Sequence, residues 1–315
     1  MAIGPKPPAE VVITVSLVQE LLEEQHEDLA HLPVTDNGEG WDNRLFRLGD
    51  DLLVRLPRRA ISAALIDREQ RWLPRLSPQL PLPIPVPRRA GRPGCGFPWQ
   101  WSITTWCSGE TALVAPPADA SEAAHTLGQF LRALHQPAPA DAPYNPWRSA
   151  PLGMRTSSFL NHLQQIDGLV DRGDVLELWN RALSAPLWPG PPLWIHGDLH
   201  PGNLLVSDGR LSAVIDFGDL AAGDPATDLS VMWMLLPPVT RSAFRASARG
   251  KFNPLDDHTL LRARGWALAL GIDYLASSQD DEAMGTLGLA TVNAALNDEW
   301  PRQSSSSHAN LLTQP

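Results

Sequence analysis

Trp194-Ile195-His196-Gly197-Asp198-Leu199-His200-Pro201-Gly202-Asn203-Leu204-Leu205-Val206, followed by Ala213-Val214-Ile215-Asp216-Phe217-Gly218, is the stretch on which the reading of this 315-residue chain turns. An apolar run enters a polar loop, a hydrophobic strand leaves it, and a second strand ends on an acid. The loop presents Asp198, then Asn203 five residues later, and the second strand delivers Asp216. One possible base and two oxygen ligands for a hard cation therefore fall within a short span.

The spacing His-x-Asp-x4-Asn followed by Asp-Phe-Gly is that of a phosphoryl-transfer loop. Either acid alone would more often cap a turn. Their joint spacing with Asn203 favours chemistry, and the question becomes whether the chain builds the other half of such a site.

Bulk properties bound the answer. A chain of this length can hold one large domain or two lobes with a sizeable core. Its net charge is -10 with no basic run, which argues against a nucleic-acid partner. Cys95 and Cys107 are the only cysteines and make neither a disulfide framework nor a metal pattern. No stretch approaches the ~20 apolar residues of a membrane span, and residues 1–10 lack the apolar core of a signal peptide. The expectation is a soluble, cytoplasmic protein with no obligate protein partner.

In the N-terminal third, Ser16 with Gln19 predicts a capping box at the start of a helix that ends near Leu32-Pro33. Gly38 and Gly40 sit in a small-residue turn between strand-like flanks. Arg44–Leu48 and Leu52–Leu56 read as a hairpin around Gly49-Asp50-Asp51. A glycine turn of this kind is more often a plain hairpin than a phosphate cradle. Arg55 places a cation in an apolar strand. A helix predicted from Ser62 to Leu73, stopped by Pro74, puts Glu69 on one stripe with Leu65 and Trp72. Alone, Glu69 reads as a solvated edge acid; beside the loop motif it reads as the partner of Arg55. Pro81–Pro87 is too proline-rich for a central strand, and residues 97–106 read as a buried strand ending in a hinge at Cys107-Ser108-Gly109-Glu110.

Beyond the hinge, residues 121–135 form an amphipathic helix, 137–151 a proline-rich linker, and 155–171 and 175–183 two further helices. Ser207-Asp208-Gly209-Arg210 is a tight hairpin turn. More helices run from 242 to 297, and residues 302–315 form a serine-rich tail expected to be disordered.

With a strand-rich lobe, a hinge and a helical lobe in this order, the chain resembles the aminoglycoside phosphotransferase family, the small-molecule branch of the protein-kinase-like fold, macrolide phosphotransferases included. The likeness runs from about residue 33 to 275. It rests on Trp41-Asp42-Asn43, Val54-Arg55-Leu56-Pro57, Glu69, residues 196–203, Ile215-Asp216-Phe217-Gly218 and Gly223-Asp224-Pro225-Ala226-Thr227-Asp228. The resemblance implies an α+β, bilobal fold: residues 1–107 a nucleotide-binding lobe, 108–301 a catalytic and substrate-binding lobe. It implies ATP or GTP as donor and Mg2+ as cofactor. By the same resemblance Asp198 is the catalytic aspartate, Asn203 and Asp216 hold the metal, and Gly38, Gly40, Asn43, Arg55, Glu69, Trp106 and Cys107 hold the nucleotide. His196 braces the loop, and Asp228 accepts backbone hydrogen bonds from it.

The departures also carry meaning. Gly197 stands where protein kinases have an arginine, and no Ala-Pro-Glu follows Asp-Phe-Gly, so the acceptor is expected to be a small molecule and not a protein. The strand lysine is absent; Lys6 and Lys251 are the only lysines, and Arg55 takes its place. His200 is a candidate for contact with substrate or metal-bound water. Asp256, Asp257 and Asp273 are candidates to meet amino groups, and Trp233, Trp266 and Tyr274 to line an apolar wall; ordinary surface acids and core aromatics are the plainer account of all six. The expected reaction is phosphoryl transfer to a hydroxyl of an aminoglycoside or macrolide. The alternatives are a metabolite kinase of choline, homoserine or sugar type, and a catalytically silent nucleotide-binding module.

Overall fold

The structure is a computed structural model that describes residues 7–277 and 281–298. The chain opens with helix α1 (Val15–Gln25), capped by Thr14, whose hydroxyl accepts from the Leu17 amide at 3.2 Å. The expected cap at Ser16 is thus displaced by two residues, and the helix ends at Gln25, about two turns before the expected Leu32-Pro33, with a single 3-10 turn following it.

Five antiparallel strands form the first sheet: β1 (Val34–Glu39), β2 (Asn43–Leu48), β3 (Leu52–Pro57), β4 (Pro87–Gly91) and β5 (Trp101–Thr105), in spatial order β1-β2-β3-β5-β4. Period-two alternation buries Phe46, Leu48, Val54 and Leu56 against Leu21 and Leu22 of α1. Pro87–Gly91 lies at the sheet edge, where its one proline can be tolerated. Gly91 is forced by close approach: it pairs with Trp101, and a Cβ there would stand 1.9 Å from the indole.

Helix α2 (Ala60–Leu76) crosses between β3 and β4. It does not stop before Pro74 but carries it inside, two residues from its end. A proline so near the C-terminus forfeits one backbone donor of a fraying last turn, a smaller loss than breaking mid-helix. Trp72 and Leu73 of α2 do not join the sheet's core; they pack into the helical one. The Trp72 and Trp194 rings meet at 4.9 Å between centroids.

After the first sheet come β6 (Glu110–Thr111), α3 (Ala120–Leu134), α4 (Thr156–Gln165), α5 (Arg172–Ser184), β7 (Leu193–Ile195), β8 (Leu204–Ser207), β9 (Arg210–Val214) and β10 (Ala221–Gly223). They continue into α6 (Ala226–Leu229), α7 (Val231–Leu235), α8 (Arg241–Ala248), α9 (Asp257–Ser277) and α10 (Glu282–Leu296). Asp119 caps α3 by accepting from the Ser121 and Glu122 amides. Two small antiparallel sheets, β6-β8-β9 and β10-β7, frame the polar loop. The β8–β9 turn places both Asp208 and Gly209 at positive φ, as a two-residue hairpin of type I′ requires. Helix α9 is buried on nearly every side, which marks it as the central helix of the lobe. The arrangement is α+β, with a strand-rich N-terminal part and a helical C-terminal part. Among the described residues no helix is long and apolar enough to cross a membrane.

The proline-rich stretch 137–151 carries no regular element before residue 152, yet it is not a loose linker. The Ala138 amide donates to Pro192 O at 3.0 Å, and the Ala222 amide donates to Pro143 O at 2.9 Å. The expected tail, 302–315, lies outside the described residues.

Candidate active site

The polar loop between β7 and β8 is held by an acid beneath it. Asp228, at the start of the helical run after β10, is fully buried. Its Oδ2 accepts from the His196 amide and its Oδ1 from the Gly197 amide, both at 2.8 Å. His135 Nε2 adds a third bond at 3.1 Å. An ionised carboxylate is tolerable without water here because each oxygen meets a donor.

His196 ties the loop to the strand that ends on Asp216. Its Nε2 donates to Ile215 O at 2.9 Å, and its Nδ1 accepts from the Asp198 amide at 3.3 Å. The two contacts together fix one neutral tautomer. The ring packs on Phe217 at 4.6 Å. This is the bracing role expected for it.

Gly197 has φ +87, and a Cβ there would stand 2.6 Å from the backbone oxygen of Asp219. No side chain fits, so the arginine of protein kinases is excluded by backbone contact.

Asn203 follows the loop and donates from Nδ2 to the Asp198 carbonyl at 2.8 Å. Its own carbonyl accepts from the Ile215 amide at 2.9 Å, which sets it beside the residue preceding Asp216. Asp216 takes the left-handed conformation, φ 63 and ψ 69, a position where aspartate is among the tolerated non-glycine residues. Its carboxylate makes no hydrogen bond with a described residue, and the Asn203 amide oxygen is likewise left over. One carboxylate and one amide oxygen suit a cation that takes its remaining ligands from phosphate and water, as Mg2+ does. Among the described residues no group of three or more His, Cys, Asp or Glu could enclose a metal.

The opposite wall comes from β3 and α2. Arg55 and Glu69 form a bidentate pair, with the second bond at 3.1 Å from Nη2 to Oε1. Glu69 is 1% exposed and Arg55 6%, which settles the choice between solvated edge acid and buried partner. Burial works against the Arg55 charge, but Glu69 and then Asp216 outweigh it, and the guanidinium is held above its ordinary value. Arg55 therefore feels the acids of both walls.

The remaining expected nucleotide residues lie on the first sheet and at its exit. Gly38 and Gly40 lie at the exposed tip of the β1–β2 hairpin, where the Gly40 amide donates to Asn43 O at 2.9 Å. Asn43 is buried with an unpartnered Oδ1. The Trp106 amide donates to Asp51 O at 2.7 Å, and Arg47 covers its ring at 3.9 Å. Cys107 is half-buried, and burial pushes its thiol up to about 11.

The acceptor-side candidates fare unevenly. His200 stands at the site: its Nδ1 accepts from the Gly202 amide at 3.0 Å, and its Nε2 lies 3.6 Å from Asp198 Oδ2. Asp273 is already neutralised by Arg155, and His162 Nδ1 meets its other oxygen at 2.6 Å. It has little left for an ammonium. Trp266 is 1% exposed within the helical core, so it packs the lobe and lines no wall. Asp256 caps α9 through the Thr259 amide at 2.7 Å, and the Trp233 indole donates to Asp298 at 2.9 Å.

Two residues around Asp198, Arg148 and Asn145, have no periodic or motif signal in the sequence; Tyr274, a candidate for the apolar wall, also stands near Asp198. Arg148, from the 137–151 stretch, donates from Nη2 to Asp198 Oδ1 at 2.7 Å and from Nε to Asp219 Oδ2 at 3.2 Å. Asn145 donates to the other oxygen of Asp219 at 2.7 Å. Tyr274 has a buried hydroxyl with no partner among the described residues; burial and then the Asp198 charge hold it well above its ordinary value. Burial opposes ionisation of Asp198, yet Arg148 and then His200 prevail, and its carboxyl is held well below the usual carboxylate range.

The family model described as "Phosphotransferase enzyme family" matches residues 33–266. Among curated proteins none gives a significant match. Among solved structures, the chain is similar to the GDP complex of wild-type aminoglycoside 2'-phosphotransferase-IIIa, with TM-score 0.65 and 21% identity over 89% of this chain and 97% of that one. It is similar to the macrolide 2'-phosphotransferase MphH from Brachybacterium faecium, with TM-score 0.57 and 21% identity over 91% and 100%. It is also similar to ADP-bound aminoglycoside phosphotransferase APH(2'')-Ib, with TM-score 0.54 and 18% identity over 91% and 98%. At these identities the likeness is one of fold.

Proposed function

The chain belongs to the phosphotransferase enzyme family, which makes it a small-molecule kinase, and from that premise we propose that it moves the terminal phosphoryl of ATP or GTP to a hydroxyl of an aminoglycoside or macrolide antibiotic. The observation that carries this reading is the convergence of Asp198, Asn203 and Asp216 on one loop system with the Arg55–Glu69 pair facing Asp216. The structural relatives support both donors, since one is a GDP complex and another is ADP-bound. Their names support both acceptor classes.

In this reading Asp198 orients the acceptor hydroxyl and takes its proton. The acceptor oxygen forms the new bond to the terminal phosphorus. The bond from phosphorus to the bridging oxygen breaks, and its electron pair leaves with the nucleoside diphosphate. Arg55, kept charged and aimed by Glu69, holds donor phosphates as a bidentate clamp. Asn203 and Asp216 would hold Mg2+, which supplies charge neutralisation of the phosphates when bound. Gly38, Gly40 and Asn43 would cover the phosphates from above. Trp106 and Cys107 would border the base.

The absent strand lysine raises the alternative of a silent nucleotide-binding module. The intact loop acids and the buried Arg55 clamp weigh against it. A metabolite acceptor uses the same core and differs only in the pocket beyond Asp198. There Asp273 is neutralised by Arg155, and His200 Nε2 stands 3.6 Å from Asp198 Oδ2. The test is release of ADP or GDP by the purified protein, with Mg2+, over a panel of aminoglycosides, macrolides, choline, homoserine and sugars. Acceptor-dependent release with an antibiotic supports the reading; release only with a metabolite replaces the acceptor class, and no nucleotide binding at all favours the silent module.

A further inference from the structure

The proline-rich stretch 137–151 connects two helices, and nothing in its length or composition requires a charged side chain inside the lobe. Yet it delivers Arg148 to Asp198, at 2.7 Å from Oδ1. The backbone there is fixed at several points. Asn145 Oδ1 accepts from the Trp147 amide at 2.9 Å and from the Arg148 amide at 3.2 Å. The Thr227 hydroxyl, one position before Asp228, donates to Arg148 O at 3.0 Å. Gly223 abuts Ser149, where a Cβ would come within 3.0 Å. An arginine on a free surface loop would lose its rotamer entropy for little return; this one is held at both its backbone and its guanidinium.

The guanidinium bridges two acids that come from different turns. Nη2 takes Oδ1 of Asp198 and Nε takes Oδ2 of Asp219, three residues past Asp216. With Oδ1 engaged, rotation of the Asp198 carboxylate is restrained. The oxygen left for an incoming hydroxyl is Oδ2, which His200 Nε2 approaches only to 3.6 Å. Asp219 is in turn fixed by Asn145, so the bracket is anchored to the turn that carries Asp216.

We propose that Arg148 is a positioning residue for phosphoryl transfer: it fixes the Asp198 carboxylate so that Oδ2 faces the acceptor, and it locks that carboxylate to the Asp216 turn through Asp219. The proposal rests on the reading of Asp198 as the base. A misplacement of about 1 Å at such a group costs up to ~100-fold in rate. An arginine that competes with the acceptor for Asp198 would have the opposite consequence, since its removal would leave turnover equal or faster.

The experiment compares wild type with Arg148→Ala, Arg148→Lys and Asp219→Asn. The probes are MgATP and MgGTP with water as acceptor, and MgATP or MgGTP with kanamycin and erythromycin. Nucleotide affinity is measured separately by calorimetry. The expected result is a fall in kcat of ~10- to 100-fold for Arg148→Ala, with nucleotide affinity unchanged and partial recovery in millimolar guanidinium. Arg148→Lys and Asp219→Asn should fall between that variant and wild type. If Arg148→Ala does not fold, an intermediate kcat in Asp219→Asn with unchanged nucleotide affinity supports the bracket, and wild-type kcat there overturns it. Turnover equal to or above wild type in Arg148→Ala, or a loss that guanidinium does not relieve while Asp219→Asn is normal, overturns the proposal. A wild-type protein that binds MgATP or MgGTP but turns over with none of these acceptors counts against the antibiotic acceptor class of the proposed function, and the same variants are then compared with whichever metabolite acceptor supports diphosphate release.

Discussion

Arg55 on β3 clasps Glu69 on α2 through two guanidinium nitrogens in a site that excludes water. A buried pair of this kind adds little stability over an apolar pair of equal volume, while breaking it costs about 3–5 kcal/mol. Removing Arg55 alone, as in Arg55→Met, should therefore destabilise the fold by that amount, because Glu69 is left buried and uncompensated. The double variant Arg55→Met/Glu69→Leu should recover most of the loss in thermal melting. It should not recover nucleotide affinity. A double variant that binds MgATP or MgGTP like wild type would remove Arg55 from the phosphate site.

Asp198→Asn keeps the size of the side chain and one acceptor oxygen. It should melt near wild type and bind nucleotide normally. Turnover should fall by ~100- to 10,000-fold, the usual contribution of a positioned base. Retained turnover in steady-state assays of diphosphate release would take the proton-accepting role away from this residue.

Gly197→Ala tests why the loop has glycine where protein kinases have arginine. The added methyl meets the Asp219 backbone at 2.6 Å in a left-handed conformation. The strain and the clash should cost about 1–3 kcal/mol, and turnover should fall with it because Asp198 is the next residue. Chemical denaturation with an unchanged slope would assign the cost to the native state.

Both thiols should be slow to alkylate at neutral pH. Burial raises Cys107 to about 11, and a hydrogen bond to Glu24 raises Cys95 to about 11. Because the raised value favours the protonated thiol, reactivity is low below it and climbs as pH approaches it. At pH 8 the thiolate fraction is about one in a thousand. Mass-resolved iodoacetamide labelling should thus accelerate roughly tenfold per pH unit from pH 7 to 10. Rapid labelling of Cys107 at pH 7.5 would show that its environment is more open than the structure gives.

What was legible in the sequence was what lies close along the chain. Asp198, Asn203 and Asp216 are bound by one loop and one hairpin, so spacing alone places them together. Arg55 and Glu69 were legible because a strand and a helix of known period connect them. The corrections concern tertiary competition. Thr14 outcompetes Ser16 as a cap by one hydrogen bond. Pro74 is kept inside α2 because Trp72 and Leu73 beside it are anchored in the helical core. Trp266 belongs to a helix buried on nearly all sides, which aromatic content alone does not distinguish from a pocket wall. Arg148 had no local signal at all, for it lies in a segment without periodicity, 50 residues from the aspartate it holds.

The contact between Trp72 and Trp194 extends past packing. In protein kinases the helix that carries the paired glutamate can swing, and its position controls activity. Here that helix is rooted in the lower core, on the strand that leads into the loop of Asp198. An excursion of Glu69 away from Arg55 would have to pull a tryptophan out of apolar contact. The tryptophan contact thus works as an anchor for the paired position of Glu69, coupling the Arg55 clamp to the strand that leads into the Asp198 loop.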